Sequence, residues 1–571
     1  MELVLHSETD KHDLCNKGGG PHPYCINESI YLGTSSLGGH DMRLIQLNFK
    51  IIFSSILTYL FFAFNLMFFL FFFVVLNNSP FINYTFFLDA LAYYEIALFI
   101  LSFCLSAYFS HKNHTLEKIC FVEKQKYVVA SFLSVLLASY IVCLIPVSYI
   151  LIASLKEGTG LFFNLLSAVY FLLRWISILS ISQAIGYLVG FLIKKNIVYL
   201  LAAPFSILFS HLNEIFFSKF LKGEILLKIS NLFSLQKPFM NAIDIDYSGP
   251  RIDLLFIVKQ LIVLTLVFLL ISIIKMLLNK KIKLKSIMYF CSSTIILGLL
   301  TYGYICLFPQ SYNYSDKLYA LKDIDNGYKI RSYEGSIHLS ENSNFYCIFE
   351  VEKGEGDLTV RLDKAFQIEN LFIDGNSIKF SKIGDYIFIP QAELPPVQSF
   401  KIELSYSGRV QYINDVNCVN IYTSFISSAL PPNFAFIPII DGDRSIKNYS
   451  FDVVSSNNVI SNLVVDNLGN TNHYRVNGVS SSFCIFSGFL ETVEKDGITI
   501  YRTKYNQRTD YWNEYQDSLS RGYLDPYTGV LMDDIPPFRP KKVFMIYYLY
   551  GIVGYPVAFD NYVMLNYGYT R

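Results

Sequence analysis

The sequence is poor in charged residues and has no excess of either sign. Of its 571 residues 16% are charged, and 46 basic residues balance 46 acidic ones. No global electrostatic field therefore favours nucleic acid or an acidic partner, and we expect no nucleic-acid partner. No G-x-x-x-x-G-K-[ST] loop occurs in the chain, so it has no sequence motif for holding the phosphates of ATP. We expect no cofactor.

Hydrophobic residues, by contrast, make up 53% of the chain and are concentrated in long runs in its first half. About twenty consecutive apolar residues suffice to cross a bilayer. This predicts an α-helical transmembrane bundle of about seven spans that contacts the lipid bilayer. The predicted spans are 50–76, 86–109, 127–154, 161–193, 196–215, 252–278 and 286–308.

The basic residues of the short loops predict the orientation. One set of loops is rich in Lys, at 111–126, 194–195 and 279–285, whereas the opposite loop at 77–87 has neither Lys nor Arg. Cytoplasmic loops carry the excess of Lys and Arg. We therefore expect a cytoplasmic N-terminus and an extracytoplasmic chain after residue 309, in a bacterial plasma membrane. Residues 216–251 are also basic but amphipathic, and we interpret them as a helix on the outer interface.

Three charged residues lie within the predicted spans. Arg174 lies well inside the fourth, whereas Glu95 and Lys259 lie nearer the ends of theirs and could extend to the interface. A charge inside a membrane is costly, so it usually faces a partner or a wet cavity. Two interpretations stay open for Arg174: a substrate path or gate, and a structural pair with a neighbouring helix.

Small residues recur in the fourth predicted span at Ser182, Gly186 and Gly190. This spacing lets two helices approach closely, and it predicts a helix-packing face.

Residues 40–280 resemble the membrane subunit of an ATP-binding-cassette (ABC) exporter of the type-two permease class. The stretch MRLIQLNFKII at 42–52 is similar to the amphipathic entry helix of that class, and the loop at 114–126 is similar to its ATPase-docking loop. The resemblance implies that a separate ABC ATPase docks on the loop, and that the permease works as a homodimer or with a second permease. The docking residues would be Glu117, Lys118, Glu123 and Lys124.

After about residue 312 alternating patterns such as YKIRSY and DLTVRL replace the apolar runs, and turn signals separate them. This alternation, with turns between the segments, predicts an extracytoplasmic β-sandwich. The resulting division is a cytoplasmic segment at 1–48, the permease-like part at 49–308, a linker at 309–327, the β-sandwich at 328–512 and a short α+β tail at 513–571. One disulfide between two of the residues Cys347, Cys418 and Cys484 is possible, and the sequence does not predict which two would pair.

The β-rich half resembles the N-terminal part of the gluzincin aminopeptidases (aminopeptidase-N type). The matching segments are SFKIELSYSGRV at 399–410, PPNFAFIPIID at 431–441 and the hairpin at 480–501. In the tail, the segment at 557–561 is where that family has its Gly-x-Met-Glu-Asn segment for the substrate amine. Of that motif only Asn561 is retained, after Asp560.

The zinc motif of that family, H-E-x-x-H, is absent from this sequence. Without it the chain has no helix that supplies two His ligands and a general base. We therefore expect no metal site and no enzyme activity in this chain. The main hypothesis is the permease subunit of an ABC exporter with a non-catalytic β domain. The alternatives are a membrane-anchored peptide-binding or sensor protein, and a truncated or split membrane aminopeptidase. The cargo and the direction of transport stay open.

Overall fold

The computed structural model describes most of the chain. The described residues are 37–78, 84–116, 124–156, 160–193, 196–210, 212–235, 252–278, 284–311, 327–413, 419–432, 434–469, 472–504, 522–524, 531–532, 540–545 and 556–564.

The first half of the chain is helical. Its helices are α1 (Leu37–Phe53), α2 (Ile56–Asn78), α3 (Tyr84–Leu116), α4 (Lys124–Lys156), α5 (Leu161–Leu192), α6 (Ala202–Leu208), α7 (Asn213–Phe217), α8 (Gly223–Phe233), α9 (Leu254–Leu278) and α10 (Leu284–Leu307). A 3₁₀ helix at Asn196–Leu201 leads into α6.

Among the described residues, five helices are long and apolar enough to cross a membrane. They are Tyr94–His111, Tyr127–Tyr149, Leu161–Leu192, Leu254–Leu278 and Leu284–Leu307. A sixth candidate is the pair Ile45–Phe53 and Ile56–Met67, which is bent by 72°. The predicted first span, 50–76, therefore contains a break after Phe53. The described residues thus contain five candidate spans, or six if the bent pair counts as one, and the prediction of about seven spans stays unconfirmed.

The predicted fifth span, 196–215, is wrong as a continuous helix. It consists of the 3₁₀ turn, α6 and α7, and Ser210 and Leu212 lie between the last two. The segment nevertheless runs antiparallel to α3, because Phe205 contacts Phe103 at 5.9 Å and Phe209 contacts Phe99 at 5.7 Å between ring centroids. Polar residues near the end of the predicted span, including Asn213, coincide with its break.

Helices α3 and α5 pack in parallel along a stripe of small residues. Ser106 Oγ donates to the Gln183 carbonyl at 2.8 Å, and Ser110 Oγ donates to the Tyr187 carbonyl at 2.9 Å. A Cβ atom at Gly186 would lie 2.5 Å from the Phe103 carbonyl oxygen. Only glycine permits this approach.

The small residues noted in the sequence lie in this contact. Ser182 Oγ lies 2.5 Å from Ser102 Oγ, and a Cβ at Gly190 would lie 2.8 Å from the Ala107 carbonyl oxygen. Ser182, Gly186 and Gly190 thus bring α5 against α3 with hydroxyl groups satisfied across the interface.

The other long helices follow alternating directions. Helix α4 is antiparallel to α5, because Phe132 contacts Tyr187 and Ser139 Oγ accepts a hydrogen bond from Gln183 Nε2. Helix α9 is parallel to α5, because Tyr170 stacks on Phe256 and Ser177, further along α5, bonds to Gln260, further along α9. The broken segment at 196–235 therefore returns the chain from the end of α5 to the level at which α9 begins.

The second half of the described chain is β-rich. Its strands are β1 (Gln310–Ser311), β2 (Lys329–His338), β3 (Ser343–Glu352), β4 (Leu358–Arg361), β5 (Phe366–Ile373), β6 (Asn376–Ser377), β7 (Ser381–Ile383), β8 (Tyr386–Ile389), β9 (Ser399–Gly408), β10 (Gln411–Ile413), β11 (Val419–Thr423), β12 (Ser428–Leu430), β13 (Lys447–Val454), β14 (Val459–Ser461), β15 (Val464–Asn467), β16 (His473–Ser480), β17 (Ile485–Ser487), β18 (Leu490–Lys495), β19 (Ile498–Thr503), β20 (Tyr523–Leu524), β21 (Leu531–Met532), β22 (Lys542–Met545), β23 (Val557–Ala558) and β24 (Tyr562–Met564).

These strands form four sheets. Their orders are β15-β16-β13-β2-β3-β9-β5-β6, β1-β10-β11-β12-β17-β14, β4-β8-β7 and β18-β19-β22-β24-β23-β20-β21. Burial alternates along β3 and β13, as the period-two pattern predicts. One hydrophobic cluster includes residues of all four sheets, from Val360 and Ile402 to Ile485 and Phe544. The β-rich half is confirmed, and its description as a sandwich stays a prediction.

The predicted tail at 513–571 is not separate in structure from the hairpin β18–β19 that precedes it. Strand β19 pairs in parallel with β22, with Tyr501 opposite Phe544. The hairpin β18–β19 therefore shares a sheet with residues of the predicted 513–571 unit.

The two halves of the chain meet at one end of the helix bundle. Phe489, just before β18, contacts Phe163 at the beginning of α5 with ring centroids 4.9 Å apart. Arg409 donates to the Leu307 carbonyl at the end of α10 at 3.3 Å. Ile426 also packs against the helical core. The β-rich half thus contacts the helical half at the beginning of α5 and at the end of α10.

Two of the three cysteines considered for a disulfide are free. Cys347 and Cys484 are buried thiols, and Cys418 lies outside the described residues. Burial raises the pKa of the Cys484 thiol to about 12. Both described thiols are therefore neutral core side chains, and the disulfide left open by the sequence does not join Cys347 to Cys484.

We predict that Gly186→Ala destabilises the helix bundle. The added methyl group would overlap a backbone oxygen that cannot rotate away. Overpacking of this kind costs about 1–3 kcal/mol. A thermal unfolding experiment in detergent should show an earlier transition for the variant.

The matched control is Gly298→Ala in α10, where an added Cβ meets nothing within 4 Å. Alanine favours helix there, so its transition should stay or rise. Equal transitions for the two variants would contradict the close contact of α3 with α5.

Candidate functional site

A buried ion pair lies in the centre of the helical half. Arg174 Nη2 of α5 contacts Glu95 Oε2 of α3 at 2.7 Å, and both side chains are almost completely buried. The neighbouring Trp175 donates from its indole nitrogen to Glu95 Oε1 at 3.2 Å. Both carboxylate oxygens of Glu95 are therefore hydrogen-bonded, as a buried charge needs.

The remaining donors of Arg174 reach into neighbouring turns. Its Nε donates to the Leu235 carbonyl at 3.0 Å, and its Nη1 donates to the Tyr170 hydroxyl at 3.3 Å. Leu235 follows the end of α8 and donates its own N–H to the Phe209 carbonyl at 3.0 Å. Arg174 thereby ties α3, α5 and the broken segment together.

Lys259 of α9 reaches the same turn. Its Nζ donates to the Ser234 carbonyl at 2.5 Å. Gln260, the next residue, accepts a hydrogen bond from Ser177 of α5. The two carbonyls that follow α8 are therefore each bound by a cationic side chain, Arg174 or Lys259. We call these two cations and Glu95 the buried charge cluster.

These contacts favour one of the alternatives left open for Arg174. It pairs with a neighbouring helix, and the partner is Glu95, a residue expected to extend to the interface. That expectation is wrong for Glu95, which is fully buried. Lys259 is half-buried and directed to a carbonyl group. A role of the cluster in transport or gating stays a prediction.

The predicted docking loop lies outside this description. Glu117, Lys118 and Glu123 are outside the described residues, as is the side chain of Lys124. Their role stays a prediction.

The β-rich half places the segment at 557–564 in a short hairpin. Strands β23 and β24 pair antiparallel, and Asp560 and Asn561 form the turn between them. Asp560 Oδ2 accepts a hydrogen bond from the Ser481 N–H at 2.7 Å. Asn561 Oδ1 is buried and accepts no hydrogen bond within the described residues. The turn therefore docks on the residues that follow β16.

Sequence reasoning missed a second group of charges beside this turn. Lys447 Nζ lies 3.4 Å from Asp443 Oδ2, and Arg361 Nε lies 3.3 Å from Asp441 Oδ1; all four side chains are buried. Burial lowers the pKa of Lys447, while the carboxylates of Asp443 and Asp560 act to raise it. Asp441 lies within the quoted 431–441 segment, but no sequence spacing pairs it with Arg361, which comes from the distant strand β4. Asp443 and Lys447 are only four residues apart.

Within the described ranges, no group of three or more His, Cys, Asp or Glu side chains is placed to hold a metal ion. The charges beside the hairpin occur as ion pairs of opposite sign.

Solved structures with similarity to this chain include peptidases and a hydrolase. Leukotriene A4 hydrolase from Saccharomyces cerevisiae is 14% identical, with a TM-score of 0.28 over 45% of this chain and 42% of that chain. The M1 zinc metallopeptidase from Deinococcus radiodurans is 10% identical, with a TM-score of 0.29 over 41% of this chain and 59% of that one. Aminopeptidase A from Legionella pneumophila, solved with aspartic acid, is 13% identical, with a TM-score of 0.31 over 43% of this chain and 32% of that one.

This chain thus covers 42% of the length of the hydrolase. No protein-family model matches the chain, and no curated protein matches it in sequence.

We predict that substitutions of Glu95 and Arg174 have non-additive effects on the free energy of unfolding. Glu95→Leu leaves the Arg174 charge buried without its counter-ion, which costs about 3–5 kcal/mol. Glu95→Leu together with Arg174→Leu removes both charges, so the double variant should lose less than the sum of the two single losses. Unfolding in detergent, followed by tryptophan fluorescence, measures the cycle.

The control is Glu224→Gln, which breaks the exposed pair of Glu224 with Lys228 in α8. An exposed pair contributes at most about 1 kcal/mol. Strictly additive losses at positions 95 and 174 would contradict the pairing.

Proposed function

We propose that this chain is the membrane-bound front part of an aminopeptidase-N-type assembly. In this proposal the helical half anchors the protein, and the β-rich half contributes the binding framework for a peptide. The zinc-binding helix comes from residues or a polypeptide beyond this sequence. The chain alone is then inactive as a peptidase, because it contains no H-E-x-x-H.

The observation that carries this proposal is the sheet that contains the hairpin at 557–564. Strand β22 pairs in parallel with both β19 and β24, and β23 pairs antiparallel with β24 and in parallel with β20. The chain therefore passes from the other three sheets into this mixed, seven-stranded sheet at the hairpin β18–β19. This order supports the resemblance, in which the substrate-amine segment follows the first strands of the catalytic domain.

A membrane location is supported by the surface of the helices. Large apolar side chains are exposed along them, among them Met67 in α2, Phe268 in α9 and Leu299 in α10. A continuous apolar surface of this kind needs lipid or another apolar partner to cover it. The loops rich in Lys adjoin the ends of α3, α5 and α9 away from the β-rich half. We propose that this end is cytoplasmic and the β-rich half extracytoplasmic.

A second candidate function is the permease subunit of an ABC exporter. The observation that favours it is the 72° bend between Ile45–Phe53 and Ile56–Met67. A separate helix before the first span is what the type-two permease resemblance implies. In this proposal a separate ABC ATPase docks on the loop that includes Glu117 and Glu123, and the β-rich half is non-catalytic.

Co-purification separates the two proposals. The tagged full-length chain is isolated from membranes of its native host in a mild detergent, and its partners are identified by mass spectrometry. The aminopeptidase proposal predicts a stoichiometric chain with H-E-x-x-H and zinc-dependent release of amino-terminal residues from peptide substrates. The isolated chain should show no such release.

A stoichiometric ABC ATPase without any H-E-x-x-H chain would contradict the aminopeptidase proposal and support the permease. In that case Glu117→Lys or Glu123→Lys should reduce the recovery of the ATPase, because each reverses a charge in the predicted docking loop. Recovery that neither variant changes would contradict docking at that loop.

A further inference from the structure

The turn between β11 and β12 carries an exposed phenylalanine. Phe425 is 72% exposed, the largest exposed fraction of any large hydrophobic side chain in the described part of the β-rich half. We call residues 424–427 the Phe425 turn. A single exposed apolar residue is common on protein surfaces, so its surroundings decide its role.

The strand directions place the Phe425 turn at the end of its sheet that faces the helices. Helix α10 ends at Leu307, and β1 begins at Gln310. Strand β10 pairs in parallel with β1, with Tyr412 opposite Gln310, so it begins at the same end. Strand β11 runs antiparallel to β10, with Tyr422 opposite Gln411, and therefore ends there. The turn that follows β11 lies on the helical side of the sheet.

Contacts on both sides of Phe425 agree with this position. Ile426, the next residue, packs against the helical core. The Thr423 N–H donates to the Val410 carbonyl at 2.9 Å, and Arg409, adjacent to Val410, donates to the last carbonyl of α10 at 3.3 Å. Phe425 therefore lies beside the contact with the helices, while its own side chain stays exposed.

Hydrogen bonds hold the Phe425 turn in one conformation. Ser424 Oγ donates to the Ser427 carbonyl at 2.7 Å, and the Ser427 N–H donates to Ser424 Oγ at 3.1 Å. The two carbonyls in between accept hydrogen bonds from the side chains of Ser456 and Asn457, which lie between β13 and β14. Covering the phenylalanine ring therefore needs little further ordering of the backbone.

A neighbouring loop extends this surface to the helices. The Gly488 N–H donates to the carbonyl of Asn458, the residue after Asn457, at 3.4 Å. Phe489, which follows, contacts Phe162 of α5 with ring centroids 6.3 Å apart, and Phe162 is 56% exposed. The Phe425 turn is thus connected through two loops to the exposed apolar surface of the helical half.

The three loops at this end contain no charged residue. Residues 424–427, 455–458 and 487–489 read SFIS, SSNN and SGF. A surface that faces water usually carries Lys, Arg, Asp or Glu. Charged side chains are costly in contact with lipid, whereas an exposed aromatic ring among small polar side chains suits the membrane interface.

We propose that the Phe425 turn inserts into the lipid bilayer beside the helices, with the Phe425 ring among the acyl chains of the extracytoplasmic leaflet. Together with the contacts of Arg409 and Phe489, this insertion fixes the orientation of the β-rich half relative to the membrane. The inference rests on the proposed membrane location of the helical half. It is independent of whether the chain serves a peptidase or a permease.

The test is Phe425→Trp in the full-length protein, reconstituted into phosphatidylcholine nanodiscs with and without bromine atoms on the acyl chains. The chain has 2 native tryptophans, so the emission of the added one is obtained by difference from the parent chain. That emission should shift to shorter wavelength and should be lost in brominated lipid, because bromine quenches on contact. Soluble iodide should not quench it.

Two variants serve as controls. Leu299→Trp, at a position in α10 that is 67% exposed, should lose its emission in brominated lipid. Val397→Trp lies just before β9, at the opposite end of that strand from Arg409, and its side chain is 46% exposed. A ten-residue strand is about 30 Å long, so Val397→Trp should be quenched by iodide and not by brominated lipid.

The controls separate failure of this inference from failure of the proposed membrane location. Leu299→Trp without quenching by brominated lipid would contradict the membrane location and, with it, the insertion of the turn. Quenching at Leu299→Trp but not at Phe425→Trp would overturn the insertion alone. In that case quenching by iodide would show that the turn faces water, and protection from iodide would show that protein covers it.

Photolabelling of the unmodified chain gives a second measurement that needs no substitution. A lipid with a diazirine on its acyl chain should label the peptide that contains Phe425 and leave the peptide that contains Val397 unlabelled. This measurement decides the question if Phe425→Trp lowers the thermal transition. Absence of label at Phe425 would then overturn the proposal.

Discussion

The charges of Glu95 and Arg174 have to meet, because neither is stable alone inside an apolar helix bundle. Their contact at 2.7 Å sets the axial position of α5 against α3. The stripe of Ser182, Gly186 and Gly190 then follows at the level where α3 offers Ser102, Phe103 and Ala107. The ion pair at one level and the close contact of small residues at the next together determine a single register of α5 against α3.

The same pair organises the broken segment. Arg174 and Lys259 hold the carbonyls that follow α8, and Leu235 in turn bonds to Phe209. A helix that continued through residue 213 would use the Phe209 carbonyl within its own turns, whereas the break leaves that oxygen to the Leu235 N–H. The buried charges and the interruption of the predicted fifth span are thus linked through Leu235. Helix α5 also extends from this cluster to Phe163, on which Phe489 of the β-rich half packs.

The sequence predicts the large division and the helix-packing face well, because both depend on local composition. Long apolar runs predict five of the helices, and alternation predicts strands such as β3 and β13. What it misses depends on contacts between distant residues. Glu95 lies 79 residues from Arg174, and Arg361 lies 80 positions from Asp441, so no local pattern predicts either pair. The docking-loop residues stay predictions, and the disulfide between Cys347 and Cys484 is excluded by two buried free thiols.

We propose that the β-rich half lies on the opposite side of a membrane from the loop at 117–123. Single cysteines introduced at Lys379, an exposed position after β6, and at Lys118 test it directly. A membrane-impermeant maleimide is applied to intact cells and to opened membranes, with the parent chain as background. The account predicts that Lys379→Cys is labelled in intact cells, and that Lys118→Cys is labelled only after the membrane is opened. Labelling of both positions in intact cells, or of neither, would contradict it.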